Sequence, residues 1–152
     1  MSDVIRGQAI QPIDLAAIER LQAAMLKLPQ STKGLETHHY FANGMYAREL
    51  FRPAGTLIVG RVHKQEHFYI VLEGEVTIAG PDGPKRIKAP AIMVSAPGTK
   101  RAVFAHEDTR CLTIHRTSET DLDAIEAELL EPDESSAFDI RNELKAPALE
   151  QP

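Results

Sequence analysis

The sequence predicts an all-β domain, an antiparallel sandwich or barrel, with one helix before it and another after it. Three observations carry the prediction. Short runs rich in β-branched and aromatic residues recur from Glu36 to Arg116, turns built on Gly and Pro separate them at close spacing, and helical periodicity is confined to the two ends. The divisions that follow are residues 1–31 for a helix and linker, 32–118 for the β domain and 119–152 for an acidic helix and tail.

Ile10–Leu28 is the first organised segment. Ile13, Ala17, Leu21 and Leu28 share an apolar face at helical spacing, Asp14 stands in the first turn and Pro29 stops the helix. Two strands, Glu36–Phe41 and Met45–Phe51, then flank Ala42-Asn43-Gly44, where Asn-Gly suits a hairpin because both residues accept positive φ. Alternation in the second strand separates Met45, Ala47, Glu49 and Phe51 from Tyr46, Arg48 and Leu50.

The central stretch is residues 55–74. It reads as strand Thr56–His63, a polar turn at Lys64-Gln65-Glu66, strand His67–Leu72, a Glu73-Gly74 turn and strand Glu75–Ala79. Alternation puts Arg61 and His63 on one face of the first strand, and His67, Tyr69 and Val71 on one face of the second. Beyond the turn at Gly80–Pro84, the strands Lys85–Lys88, Ile92–Val94, Arg101–His106 and Arg110–Arg116 complete the β domain. Thr120 is expected to cap a helix running to about Leu130, with Asp123 completing a capping box, and Pro132 ends it. Residues 133–152 are compatible with docking on their own barrel, crossing to another subunit or staying disordered.

Composition narrows the classes. A chain of 152 residues suits one ordinary domain, and a single cysteine, Cys111, allows neither an intrachain disulfide nor a cysteine-based zinc site. No secretory leader or membrane-length apolar run is present, so a soluble cytoplasmic protein is expected. The net charge of −5 is uneven: net 0 over residues 1–32, +4 over 33–101 and −9 over 102–152. A basic pocket for an anion fits this distribution, whereas no stripe of Lys and Arg interleaved with aromatics points to nucleic acid. Glycine-rich phosphate loops, Walker sequences and nucleophile elbows are all lacking.

Two chemistries fit the central hairpin. His63 and His67 would supply two metal ligands, with His106 the first choice for a third and His39, His115, Glu49 or Glu66 as others. Arg61 argues against a metal unless an anion lies between, and with Arg101 it would instead grip a carboxylate or phosphate, Tyr69 lining the same pocket. The same residues have structural readings: a hydrogen-bonded histidine pair, hydrated arginines or partners for Glu49 and Glu75, and Cys111 as a small core side chain.

The order of strands and turns, with this hairpin, resembles the cupin superfamily of double-stranded β-helix barrels. Gly55 and Gly74 fall at the outer glycines of the first cupin motif; Arg61 stands at the first histidine, His63 at the second and His67 at the glutamate. In the second motif Gly98 matches, Ala96 stands at the proline, Arg101 at the histidine and Ala105 at the asparagine. The resemblance implies a cupin-like barrel over residues 36–116 with an altered ligand set. The chain also looks like small uncharacterised cupin-like proteins of phages and bacteria.

The reading ranked first is a binding protein for a small anion, using Arg61, His63, His67, Tyr69 and Arg101. The alternatives are a metal-dependent enzyme of the dioxygenase, isomerase or decarboxylase class, holding Fe, Mn, Ni or Zn through His63, His67 and His106, and a structural phage-related oligomer. A homodimer is expected, with neither nucleic acid nor membrane as partner.

Overall fold

The computed structural model describes residues 12–80 and 83–145. After helix α1 (Pro12–Met25) come strands β1 (Glu36–Ala42), β2 (Met45–Arg52), β3 (Leu57–Val59), β4 (His67–Glu73) and β5 (Glu75–Ala79). They are followed by β6 (Lys85–Lys88), β7 (Ala91–Ser95), β8 (Ala102–Ala105), β9 (Thr109–Arg116) and helix α2 (Leu122–Leu129). Two antiparallel sheets result, one ordered β1-β2-β9-β4-β7 and the other β3-β8-β5-β6. This is the all-β architecture with flanking helices that the strand and turn pattern predicts.

Local chemistry fixes the turns. The β1–β2 hairpin closes on Asn43-Gly44, pairing Ala42 with Met45, and Gly44 has φ 76°. Gly74 must be glycine on two counts: its φ is 86°, and a Cβ there would collide with the Asp108 carbonyl. That close approach ties the β4–β5 turn to the β8–β9 turn.

One end of the space between the sheets is an apolar core of Tyr69, Val71, Val76, Ile78, Val103 and Cys111. Each aliphatic side chain buried there contributes about 1.5–3 kcal/mol. A second cluster joins Tyr46 on β2 to Ile125 and Leu129 of α2 and to Leu130 and Ile140 beyond it. This cluster brings the C-terminal segment onto the barrel mouth.

Two sequence expectations change here, and one left open is decided for the described residues. The strand predicted over Thr56–His63 pairs regularly only through Val59, because the chain then changes partner. Glu131 N–H donates to the Val62 carbonyl at 2.9 Å, Lys64 N–H donates to Leu129 at 2.8 Å, and His63 bridges to Leu130. The cap of α2 is Asp121 rather than Thr120: its carboxylate accepts from Ala124 N–H at 3.0 Å. Residues 133–145 dock on their own barrel, held by Lys100 Nζ to Asp133 at 3.0 Å and Asn142 Nδ2 to Thr37 Oγ1 at 3.1 Å. The remaining tail, and the first two residues of the predicted N-terminal helix, lie outside the described residues.

Candidate functional site

Between the sheets, bordering the apolar core at Tyr69 and Val103, lies a cavity of about 140 Å³. β3 and β4 lie in different sheets, so the hairpin expected between them is a crossover; the cavity walls come from β2, β3, the β3–β4 crossover, β4, β8 and β9, and residues 136–142 of the C-terminal segment cover it. The floor is apolar, with Leu50, Ile58 and Val103, and the cover adds Phe138 and Ile140.

Strand alternation delivers the polar side chains. On β2, Tyr46, Arg48, Leu50 and Arg52 share the inner face and all line the cavity. On β4, His67 and Tyr69 point inward and are buried; on β9 the half-buried Thr113 and the buried His115 line the same cavity. Arg61 and His63 enter from the stretch that changes partner, and Arg101 from the turn before β8. The five residues expected to bind a ligand, Arg61, His63, His67, Tyr69 and Arg101, therefore all reach one cavity.

The histidines form a cluster of three. Ring centroids are 4.3 Å apart for His63 and His67, 4.7 Å for His67 and His115, and 5.6 Å for His63 and His115. Each ring is held by a group two residues earlier in the chain. His63 bonds the Arg61 backbone, His67 Nδ1 donates to the Gln65 carbonyl at 3.1 Å, and His115 Nε2 lies 2.8 Å from Thr113 Oγ1. Burial, reinforced by neighbouring imidazoles and Arg48, holds His63 well below its ordinary value and His115 at about 3. Burial likewise lowers His67. All three are neutral at neutral pH, each with one donor and one acceptor nitrogen.

His106, expected as the third ligand, stands elsewhere. Val103 and Ala105 of β8 face the core, so alternation turns Phe104 and His106 to the other side of the sheet. There His106 Nε2 lies 2.6 Å from Thr77 Oγ1. His115 occupies the place in the cluster instead. Glu66 is exposed on its turn, Glu49 faces outward and binds Arg110 Nη1 at 2.8 Å, and His39 Nδ1 meets the Tyr46 hydroxyl at 2.7 Å.

The arginines differ in how they are compensated. Arg61 is bound to Glu126 at 2.9 Å and to the Glu131 carbonyl at 2.8 Å, so it anchors the segment after α2 rather than standing ready for a ligand. Arg101 donates to Ser95 Oγ and lies 5.6 Å from the Tyr69 ring centroid. Arg48 donates from Nε to the Ile140 carbonyl at 2.8 Å, and Arg52, 6% exposed, reaches the Tyr69 hydroxyl at 3.3 Å. Among the described residues no carboxylate pairs with Arg48 or Arg52, and Arg52 Nε has no hydrogen-bond partner. Asp139 is the acidic residue of the lining.

A metal fits this arrangement poorly. The His115 ring lies within 27° of parallel to both of the others, and no three His, Cys, Asp or Glu side chains among the described residues converge to hold an ion. Arg101, at a metal-ligand position of the motif, instead brings a positive charge that further lowers His67.

No protein-family model matches the chain, and no curated protein matches it. Solved structures do. Salicylate 1,2-dioxygenase from Pseudaminobacter salicylatoxidans aligns with TM-score 0.54 at 11% identity, covering 72% of this chain and 34% of the enzyme. KdgF from Halomonas sp. aligns with TM-score 0.51 at 14% identity, covering 60% of this chain and 86% of that one. A cupin superfamily protein from Desulfitobacterium hafniense gives 0.49 at 11% identity, over 59% and 83% of the two chains. The chain has a cupin fold, a double-stranded β-helix barrel. Identities this low speak to fold alone, and the chain spans about a third of the dioxygenase. Among the described residues no helix is long and apolar enough to cross a membrane.

Proposed function

We propose that the chain binds a small organic carboxylate in this cavity. The observation that supports it is the pair Arg48 and Arg52, on either side of Leu50 on the inner face of β2, bounding the cavity with no ion-paired carboxylate among the described residues. A buried cation without a counter-charge costs several kcal/mol, which an anionic ligand offsets. The neutral histidines do not add to the positive charge, so the attraction rests on guanidinium groups, whose planar fork suits a carboxylate.

Size restricts the class. A cavity of about 140 Å³ is close to the ~150 Å³ that accommodates benzene, so the ligand has few non-hydrogen atoms and a nucleotide is too large. The apolar floor calls for a hydrocarbon body behind the charged group.

Thermal denaturation and calorimetry with butyrate and its neutral analogue butyramide test this reading. Butyrate raises the melting temperature of the full chain and butyramide does not, and Arg52→Met abolishes the difference. Equal effects of acid and amide, or no effect of any short carboxylate, would sink the reading.

A further inference from the structure

We propose that the preferred ligand is a short hydroxy acid, its carboxylate on Arg48 and Arg52 and its hydroxyl among His63, His67 and His115. This rests on the carboxylate reading and names the second group the site recognises.

The geometry has two poles. Arg48 pairs across the sheet with Thr113, one step along the same inner face from Tyr46 and its partner His115, so the guanidinium and imidazole poles adjoin. The three imidazoles lie within 5.6 Å of one another on three separate segments, and each is fixed through a single ring atom or backbone bond two residues back. A neutral imidazole so held keeps a second nitrogen for another partner. A hydroxyl, which both donates and accepts, satisfies two such nitrogens at once. A simple carboxylate would bury the cluster without a partner, and a site built around such a group discriminates strongly against a ligand lacking it.

The test compares butyrate, 2-hydroxybutyrate, 3-hydroxybutyrate and 2-hydroxybutyramide by calorimetry on the full chain. One of the two hydroxy acids is expected to bind about tenfold or more tightly than butyrate, with the amide not binding. His115→Phe should shrink that preference; His63→Gln serves the same purpose if circular dichroism shows the first variant misfolded. Butyrate binding as tightly as both hydroxy acids overturns this inference and leaves the carboxylate reading intact. Failure of every acid overturns both.

Discussion

The Tyr69 hydroxyl accepts from Arg52 Nη1 at 3.3 Å, while the guanidinium of Arg101 lies against the same ring at 5.6 Å. One tyrosine thus holds two cations at the cavity. Burial pushes its hydroxyl up to about 12, so it stays a neutral phenol and offers dipole rather than charge. The consequence is an asymmetry between the partners. Arg52→Met removes a buried cation that no carboxylate compensates, and should leave stability within about 1 kcal/mol of the parent or raise it. Tyr69→Phe leaves that cation with a second unpartnered group and should cost about 1–3 kcal/mol. Urea denaturation of the two variants checks the order, and Arg52→Met proving the more damaging would contradict it.

The histidine cluster makes stability depend on pH in a stated direction. Burial lowers the folded-state values of His63, His67 and His115 below 6.5, so as pH falls the unfolded chain takes up protons first. Stability is therefore flat above about pH 7 and falls as pH drops below about 6.5, by up to ~1.4 kcal/mol per pH unit for each histidine. For His115 the loss continues down to its folded value of about 3. Asp133, whose folded value is also lowered, loses its contribution only in a more acidic window, below the range of about pH 5 to 7 in which the histidines are read. Urea titrations at about pH 5, 6 and 7 should show this slope, reduced by about one proton in His115→Phe. A pH-independent stability across that range would contradict the burial of the cluster.

Glu126 governs the cover. Its Oε1 accepts from Arg61 Nη1 at 2.9 Å and from the Ile140 backbone N–H at 2.9 Å, linking barrel, helix and C-terminal segment at one atom. Arg61 Nε already lacks a partner, so Glu126→Ala leaves the guanidinium further uncompensated. The expected cost is about 1–3 kcal/mol, with Glu126→Gln retaining much of the acceptor function. Hydrogen exchange at residues 136–145 should accelerate in the alanine variant while β4 and β9 stay protected. Uniform acceleration throughout the barrel would instead mark Glu126 as a general stability residue.

Parity along the strands made half of the site legible in the sequence. His67, Tyr69 and Val71 alternate as read, and the two motif glycines Gly55 and Gly74 take positive φ at their turns. Placing Cys111 in the core also implied, by the same alternation, that Thr113 and His115 face inward, and it was this signal that could have identified His115. Applied to β8, core-facing Val103 and Ala105 turn His106 outward. Arg48 shared a face with Tyr46 and Leu50, but alternation alone does not say which of two faces is buried, and Arg52 lay one residue beyond the expected strand, which in the structure runs on to include it. The cover was not legible, because it depends on pairs such as Arg61 with Glu126, 65 residues apart, that no local pattern encodes.

Bound metal provides the remaining prediction. Neutral imidazoles are competent donors, and the cupin barrel is a frame in which the resemblance implies metal, so protonation is not the obstacle. The obstacles are orientation and charge. The rings lie face to face with 5° between His63 and His115, where ligation requires in-plane lone pairs aimed at one point, and Arg101 adds a cation beside His67. Elemental analysis of untagged protein purified without chelator should therefore find well under one divalent metal per chain, with no change in His63→Ala/His67→Ala. Near one metal per chain, lost in that double variant, would require the rings to turn and Arg101 to withdraw, and would displace the arginine-centred account of the cavity.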